Sequence, residues 1–171
     1  MYQPAPEKAI GFLRVLGLAK LLAKISASDS ASDSVTVAHF LLAILIMGRG
    51  IAFKALQKLG VDLEGLKQDL VDQISPKEAC PEFSEAAADL VPLADQISQT
   101  LNRPCCGSES LLLAIIEQAD ESVLGVLFLH DINLPKATAM VNALLDDAMA
   151  IQAKAIQEAQ KVKQPPPESW N

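Results

Sequence analysis

Apolar residues recur at helical spacing along most of the chain, and the breaks between the runs are short and polar or carry proline. The first run, with Phe12, Leu13, Val15, Leu16, Ala19, Leu22 and Ala23 recurring near the helical period, predicts a helix opening at Pro6-Glu7 and ending in the serine-rich stretch from Ser26 to Ser34. An apolar segment follows, capped by Thr36 or Ser34, running to Met47 and broken by Gly48-Arg49-Gly50. A third helix spans Ile51 to Leu59 and stops at Gly60; Asp62 caps a fourth reaching Ile74, which Ser75-Pro76 closes. The second half has the same plan. Ser84 caps a helix to Leu101, Asn102-Arg103-Pro104 stops it, Ser108 starts a second apolar helix through Glu117, and Ser122 starts a short one to about Leu129. Asn133-Leu134-Pro135 opens a long Ala-rich helix reaching Lys163, ended by Pro165-Pro166-Pro167. Pro92 inside the fifth helix predicts a kink there. The pattern is all-α, with eight helices.

Those eight helices are a duplicated four. A shift of 71 residues lays His39-Phe40-Leu41-Leu42-Ala43-Ile44-Leu45 on Ser110-Leu111-Leu112-Leu113-Ala114-Ile115-Ile116, then Leu56 on Leu127, Val61 on Ile132, Leu63 on Leu134 and Leu70 on Val141. The first helices align at a shift of 75, with Val15 to Ala19 on Leu90 to Ala94, and the four extra residues fall in the serine loop. The expected organisation is a double-repeat domain over residues 1–148, with repeats at about 6–75 and 81–148, followed by a helix extension and proline-rich tail or linker over 149–171.

Composition narrows the function. Of 171 residues half are apolar, a fifth are charged and only 4% aromatic, which suits a small helical core built from Ala, Leu, Ile and Val. A net charge of −7 provides no basic field for phosphates, so nucleic acid is excluded as a partner. The apolar run Val35 to Met47 contains His39 and falls short of the roughly 20 residues that span a bilayer, while Arg14, Lys20 and Lys24 interrupt the first helix too often for a secretory segment. No membrane association is expected. Cys80, Cys105 and Cys106 do not form an evenly spaced disulfide framework, which points to a reducing, cytoplasmic setting. Two histidines and a vicinal cysteine pair make no plausible metal or redox set, and no glycine-rich phosphate loop of the form G-x-x-x-x-G-K-[ST] occurs. The chain is therefore expected to need no cofactor and to have no catalytic activity. Trp170, in the tail, is expected to be the most exposed large apolar group.

The residues at the repeat junctions resemble a known family. Phe83-Ser84-Glu85-Ala86-Ala87-Ala88-Asp89-Leu90-Val91-Pro92-Leu93-Ala94 is similar to the F-[TS]-x-x-A-x-x-V-L-x-L-A signature that opens each half of the double N-terminal domain of Clp unfoldases. The T-E-H-L-L-L-A-L-L segment of that family is matched by Val37-Ala38-His39-Phe40-Leu41-Leu42-Ala43-Ile44-Leu45 and by Ser108-Glu109-Ser110-Leu111-Leu112-Leu113-Ala114-Ile115-Ile116. Gly50-Ile51-Ala52 and Leu59-Gly60-Val61-Asp62-Leu63 follow as they do in the family. The resemblance implies two pseudo-repeated four-helix units in one globule about a pseudo-twofold axis. It also implies a protein-binding module of the Clp chaperone and protease system, taking protein substrates, adaptors or Clp ATPase and protease subunits. The alternative is a helical scaffold or regulatory oligomerisation subunit without a substrate groove.

By the same comparison the binding residues would be those opening the second and sixth helices, Thr36, Val37, His39, Ser108 and Glu109, with the turns Gly48–Gly50 and Ala119–Glu121 beside them. Where family members recognise phosphorylated arginine, the acid of the T-E-H segment engages the guanidinium. Ala38 removes that carboxylate from the first half and Glu109 keeps it in the second. Glu109 has a plain structural reading as well, as a carboxylate favoured by the start of a helix, and His39 reads as a hydrogen-bonded structural histidine. The loss at Ala38 favours an accessory protein over the detached domain of a larger unfoldase.

Overall fold

The computed structural model describes residues 7–26, 34–74 and 83–162. The middle of the serine loop, Cys80 and the tail with Pro165, Pro166, Pro167 and Trp170 lie outside the described residues. The first repeat is α1 (Ile10–Ser26), α2 (Val37–Met47), α3 (Ile51–Lys58) and α4 (Leu63–Gln73). The second is α5 (Glu85–Thr100), α6 (Ser108–Glu117), α7 (Glu121–Leu129) and α8 (Leu134–Val162).

Helix starts follow cap chemistry, because the first backbone N–H groups of a helix need an acceptor that the helix cannot supply. Asp62 Oδ1 accepts from Gly65 N at 3.2 Å, Ser84 Oγ from Ala87 N at 3.2 Å and Asn133 Oδ1 from Lys136 N at 3.1 Å, as the sequence predicts. At α7 the cap is Asp120, whose Oδ1 accepts from Val123 N at 3.0 Å, and the helix begins one residue before the expected Ser122. Pro92 is exposed within α5, and the helix runs on through it from Glu85 to Thr100.

The core is built on the two apolar helices. Every residue from Val37 to Leu45 in α2 and from Ser108 to Ile116 in α6 is buried, and the two helices pack against each other. Helix α1 covers α2, and α5 covers α6 in the same way. The remaining helices also reach across the repeats: α3 packs on α8, which lies on α6 as well, and α4, seated on α2, packs on α7. Neither half is a self-contained bundle.

Two short parallel pairings complete the interlock, and the helical pattern did not predict them. In one, β1 (Glu7–Lys8), leading into α1, pairs with β2 (Cys105–Cys106), leading into α6, and the Ala9 amide donates to the Cys106 carbonyl at 2.9 Å. In the other, Val35 before α2 bridges Phe83 before α5, and the Ser84 amide donates to the Val35 carbonyl at 3.0 Å. The repeat shifts convert one pairing into the other, Lys8 onto Phe83 and Val35 onto Cys106. Each half therefore straps its entry segment to the second-helix lead-in of the other. The first strap also explains why α1 starts at Ile10 rather than at Pro6-Glu7: Glu7 and Lys8 are committed to extended backbone.

Candidate functional site

The five residues singled out from the sequence open α2 and α6, and the structure gives most of them internal work. Val37 is fully buried. Thr36 and His39 close the start of α2 on each other: the Thr36 amide donates to His39 Nδ1 at 3.1 Å, and Thr36 Oγ1 lies 2.8 Å from the same nitrogen. An imidazole nitrogen that accepts from a backbone N–H carries no proton, so the ring proton sits on Nε2. His39 is 4% exposed, and among the described residues Nε2 has no partner. Burial pushes its pKa below 6.5, which keeps the ring neutral. At the matching position of the second repeat, Ser110 Oγ is likewise buried without a partner.

The start of α6 differs. Its N-cap position is Gly107, and a Cβ built there would collide with both carboxylate oxygens of Glu109. The missing side chain is the seat for that carboxylate. Glu109 is 6% exposed, and no hydrogen bond or ion pair engages it among the described residues. The first-repeat counterpart, Ala38, is 3% exposed and apolar. The two helix starts have thus diverged, one into a closed neutral cap and one into a buried acid at a helix N-terminus. Ser108 sits beside the first-half turn. Gly50 there has φ +93°, and a Cβ would stand 3.1 Å from Ser108 Oγ, so glycine serves both the left-handed backbone and the close approach. The turn Gly48–Gly50 is exposed.

A larger surface feature escaped the sequence reading. The outward face of α1 carries Ile10, Leu13, Leu21 and Ile25, between 52% and 71% exposed, with Arg14, Lys20 and Lys24 among them. Lys20 also lies over the Phe83 ring, 5.0 Å from its centroid. In the second repeat the corresponding positions of α5 are Glu85, Ala88, Gln96 and Thr100, with Asp89, Asp95 and Gln99 where α1 has its basic residues. One fold position thus has an apolar, basic solution and a polar, acidic one. The signal was present in the 75-residue shift, but only the structure tells which positions face outward.

Beneath these faces each repeat has a matching cleft. Leu22, Ser26, Leu42, Ile46, Lys67, Val71 and Ile74 line one of about 310 Å³ between α1, α2 and α4. The other, about 300 Å³ between α5, α6 and α8, is lined chiefly by Leu93, Ile97, Leu101, Leu113, Glu117 and Leu134. Leu42 and Leu113 are equivalent under the repeat, as are Leu22 and Ile97. Each is at the small end of the size range of ligand pockets.

Comparison with known proteins agrees with this architecture. The model of the Clp repeat (R) N-terminal domain matches residues 17–128, and the chain belongs to that family. The N-terminal domain of Hsp104 from Candida albicans superposes with a TM-score of 0.65 at 14% identity, over 81% of this chain and 91% of that one. That of the caseinolytic protease associated chaperone ClpD from Arabidopsis thaliana gives 0.61 at 16% identity, over 82% and 95%. A ClpV N-domain solved in complex with a VipB peptide gives 0.54 at 20% identity, over 83% and 97%. The all-α double repeat is the shared feature.

Proposed function

We propose that this chain is a non-catalytic protein-recognition module of the Clp chaperone and protease system. The observation that carries the reading is the outward face of α1. Four large apolar side chains stand in solvent where the other repeat, in the same fold, has only small or polar ones. The fold itself does not require them, and contiguous exposed apolar surface of this kind marks a protein interface. Arg14, Lys20 and Lys24 make the face basic in a chain of net charge −7, so its complement is a helix with an apolar stripe and acidic flanks. The ClpV relative with a bound VipB peptide is consistent with peptide capture by this architecture.

Glu109 supplies a second contact in this proposal. A carboxylate that is buried, seated over Gly107 and unpaired within the described residues favours a cationic group from the partner, a guanidinium above all. Thr36, Val37 and His39 then act from behind, holding the start of α2 in place. Partners under this reading are substrates, adaptors or Clp ATPase and protease subunits, met in the cytoplasm.

The test is fluorescence anisotropy with labelled amphipathic helical peptides. Acid-flanked peptides are expected to bind with micromolar affinity that weakens with salt, and Leu21→Asp to weaken binding at least about tenfold. Gln96→Asp, at the equivalent place on α5, leaves it unchanged. With an arginine-bearing peptide, Gly107→Ala displaces the Glu109 carboxylate and weakens binding with the fold intact. Equal binding of base-flanked peptides, or attachment to anionic vesicles in place of peptides, overturns the reading.

A further inference from the structure

Helix α7 stands out on the surface of the second repeat. Phe128 is 83% exposed, Leu129 76% and Leu124 54%. At 100° per residue these three, with Glu121 and Gly125 among them, span an arc of about 140°, opposite the buried Val123, Val126 and Leu127. The fold does not require such a face. In the first repeat α3 has Lys54, Gln57 and Lys58 where α7 has Gly125, Phe128 and Leu129, and only Phe53, half-buried, keeps the apolar character of Leu124.

The molecule thus shows two exposed apolar helix faces, on α1 and on α7, that their counterparts α5 and α3 lack, and the charges set into them are opposite. On α1, Arg14 and Lys24 fall within the arc of about 120° that holds Ile10, Leu13, Leu21 and Ile25, Lys20 lies at its edge, and the helix contains no acid. On α7, Glu121 stands between Phe128 and Gly125 around the helix, Asp120 precedes it, and the helix contains no base. Lys136, beside the end of α7, is paired with Asp131. Each face also has an exposed glycine near its middle, Gly17 on α1 and Gly125 on α7, and a Cβ at either would meet nothing within 4 Å. Glycine inside a helix is destabilising relative to alanine, and packing within this chain asks for neither. A bare backbone at the centre of each face lets two helices approach closely.

We propose that α7 of one copy docks on α1 of a second copy. The proposal rests on the reading of the α1 face as a protein interface and names an occupant for it: α7 is a helix with an apolar stripe and acids at its start, the complement that a basic apolar face selects. The lengths agree, since α7 is about 13 Å long and the face of α1 runs about 22 Å from Ile10 to Ile25, so the shorter helix seats wholly on the longer one. Like faces are excluded by charge. Setting α1 on α1 opposes Arg14 and Lys24 to their own kind, and setting α7 on α7 does the same with Asp120 and Glu121. Every contact therefore takes α1 from one copy and α7 from another, and the assembly closes as a reciprocal pair or a ring, or continues as a chain. Two crossing helices bury little surface, so each contact is weak, at micromolar concentration or above. A second copy and any other helical partner compete for α1, so self-association covers the recognition face at high concentration.

Sedimentation velocity of the 171-residue chain from low micromolar to near-millimolar concentration reads the association, which is expected to be reversible and weaker at about 0.5 M salt than at about 0.05 M. Leu21→Asp and Phe128→Asp each raise the dissociation constant at least about tenfold when alone. Mixed in equal amounts, the two variants regain association as a one-to-one complex, because the intact α7 of the first fits the intact α1 of the second. Gln57→Asp, at the place of Phe128 on α3, changes the constant by less than about twofold. All three positions are exposed, and circular dichroism checks that each variant keeps its helix content. A monomer across the whole range, association indifferent to Phe128→Asp or to salt, or a mixture no more associated than its parts overturns the proposal. Binding of acid-flanked peptides to Phe128→Asp, which keeps α1 intact, judges the α1 face separately. Peptide bound while the wild type stays monomeric overturns only the self-pairing; no peptide bound while the pairing holds overturns only the recognition of other proteins.

Discussion

His39 shows what burial does to a titratable side chain. Its Nδ1 is taken by Thr36, its Nε2 is enclosed, and desolvation favours the neutral ring. The unfolded chain binds that proton near pH 6.5 and the folded chain only at lower pH, so this group's contribution is complete above about pH 6.5 and is lost as pH falls through the folded value. Denaturant midpoints of the wild type and His39→Gln, compared between about pH 7.5 and about pH 5.5, are expected to diverge. Gln can still accept from the Thr36 amide, so the variant keeps the cap and loses the proton-linked part of the decline. Equal pH dependence in the two proteins would show that protonation of His39 is not part of acid sensitivity. Glu109 carries the opposite lesson. Its place at the start of an apolar helix was readable from the residue order, but its burial, with the carboxylate seated where a Gly107 side chain would stand, is visible only in the fold.

Helices were legible wherever their ends had an unambiguous cap. Asp62, Ser84 and Asn133 each precede an apolar run and each accept from the amide three residues on. Asp120-Glu121-Ser122 offers two candidates, and the choice falls to Asp120 because that start turns Val123, Val126 and Leu127 inward. Asp120→Ala is expected to cost about 1 kcal/mol in denaturant unfolding, with Ser122→Ala close to neutral. Between elements, His130 at the end of α7 meets Asp69 of α4, Nε2 to Oδ2 at 2.8 Å, with the histidine side chain 12% exposed and the aspartate 41%. This contact joins the repeats and no local pattern announces it, since the two residues stand 61 apart. His130→Ala is expected to lower stability by about 1 kcal/mol at neutral pH, read from the same unfolding curves.

The whole molecule behaves as one unit in this reading, although its sequence divides in two. Helix α3 rests on α8, α4 rests on α7, and each entry segment is strapped across to the other half. Cutting between the repeats would uncover the faces that α3 and α8, and α4 and α7, now bury against each other. A single cooperative transition is therefore expected by circular dichroism and by hydrogen exchange, with the slowest amides of α2 and α6 opening together. Residues 81–148 alone should show no cooperative unfolding. Two resolved transitions would mean the repeats are separate domains.

The sequence by itself determined the helical class, the order of the elements, the duplication and which two helices form the core, because each follows from local periodicity, cap chemistry and a repeat that can be counted. It also carried the family likeness and the loss of the acid at Ala38. Tertiary structure alone decided how the copies interlock, and so which faces of α1 and α7 remain in solvent. The reason is that a helix has the same local pattern whether its partner lies in its own repeat, in the other, or in another molecule. Only packing selects among them.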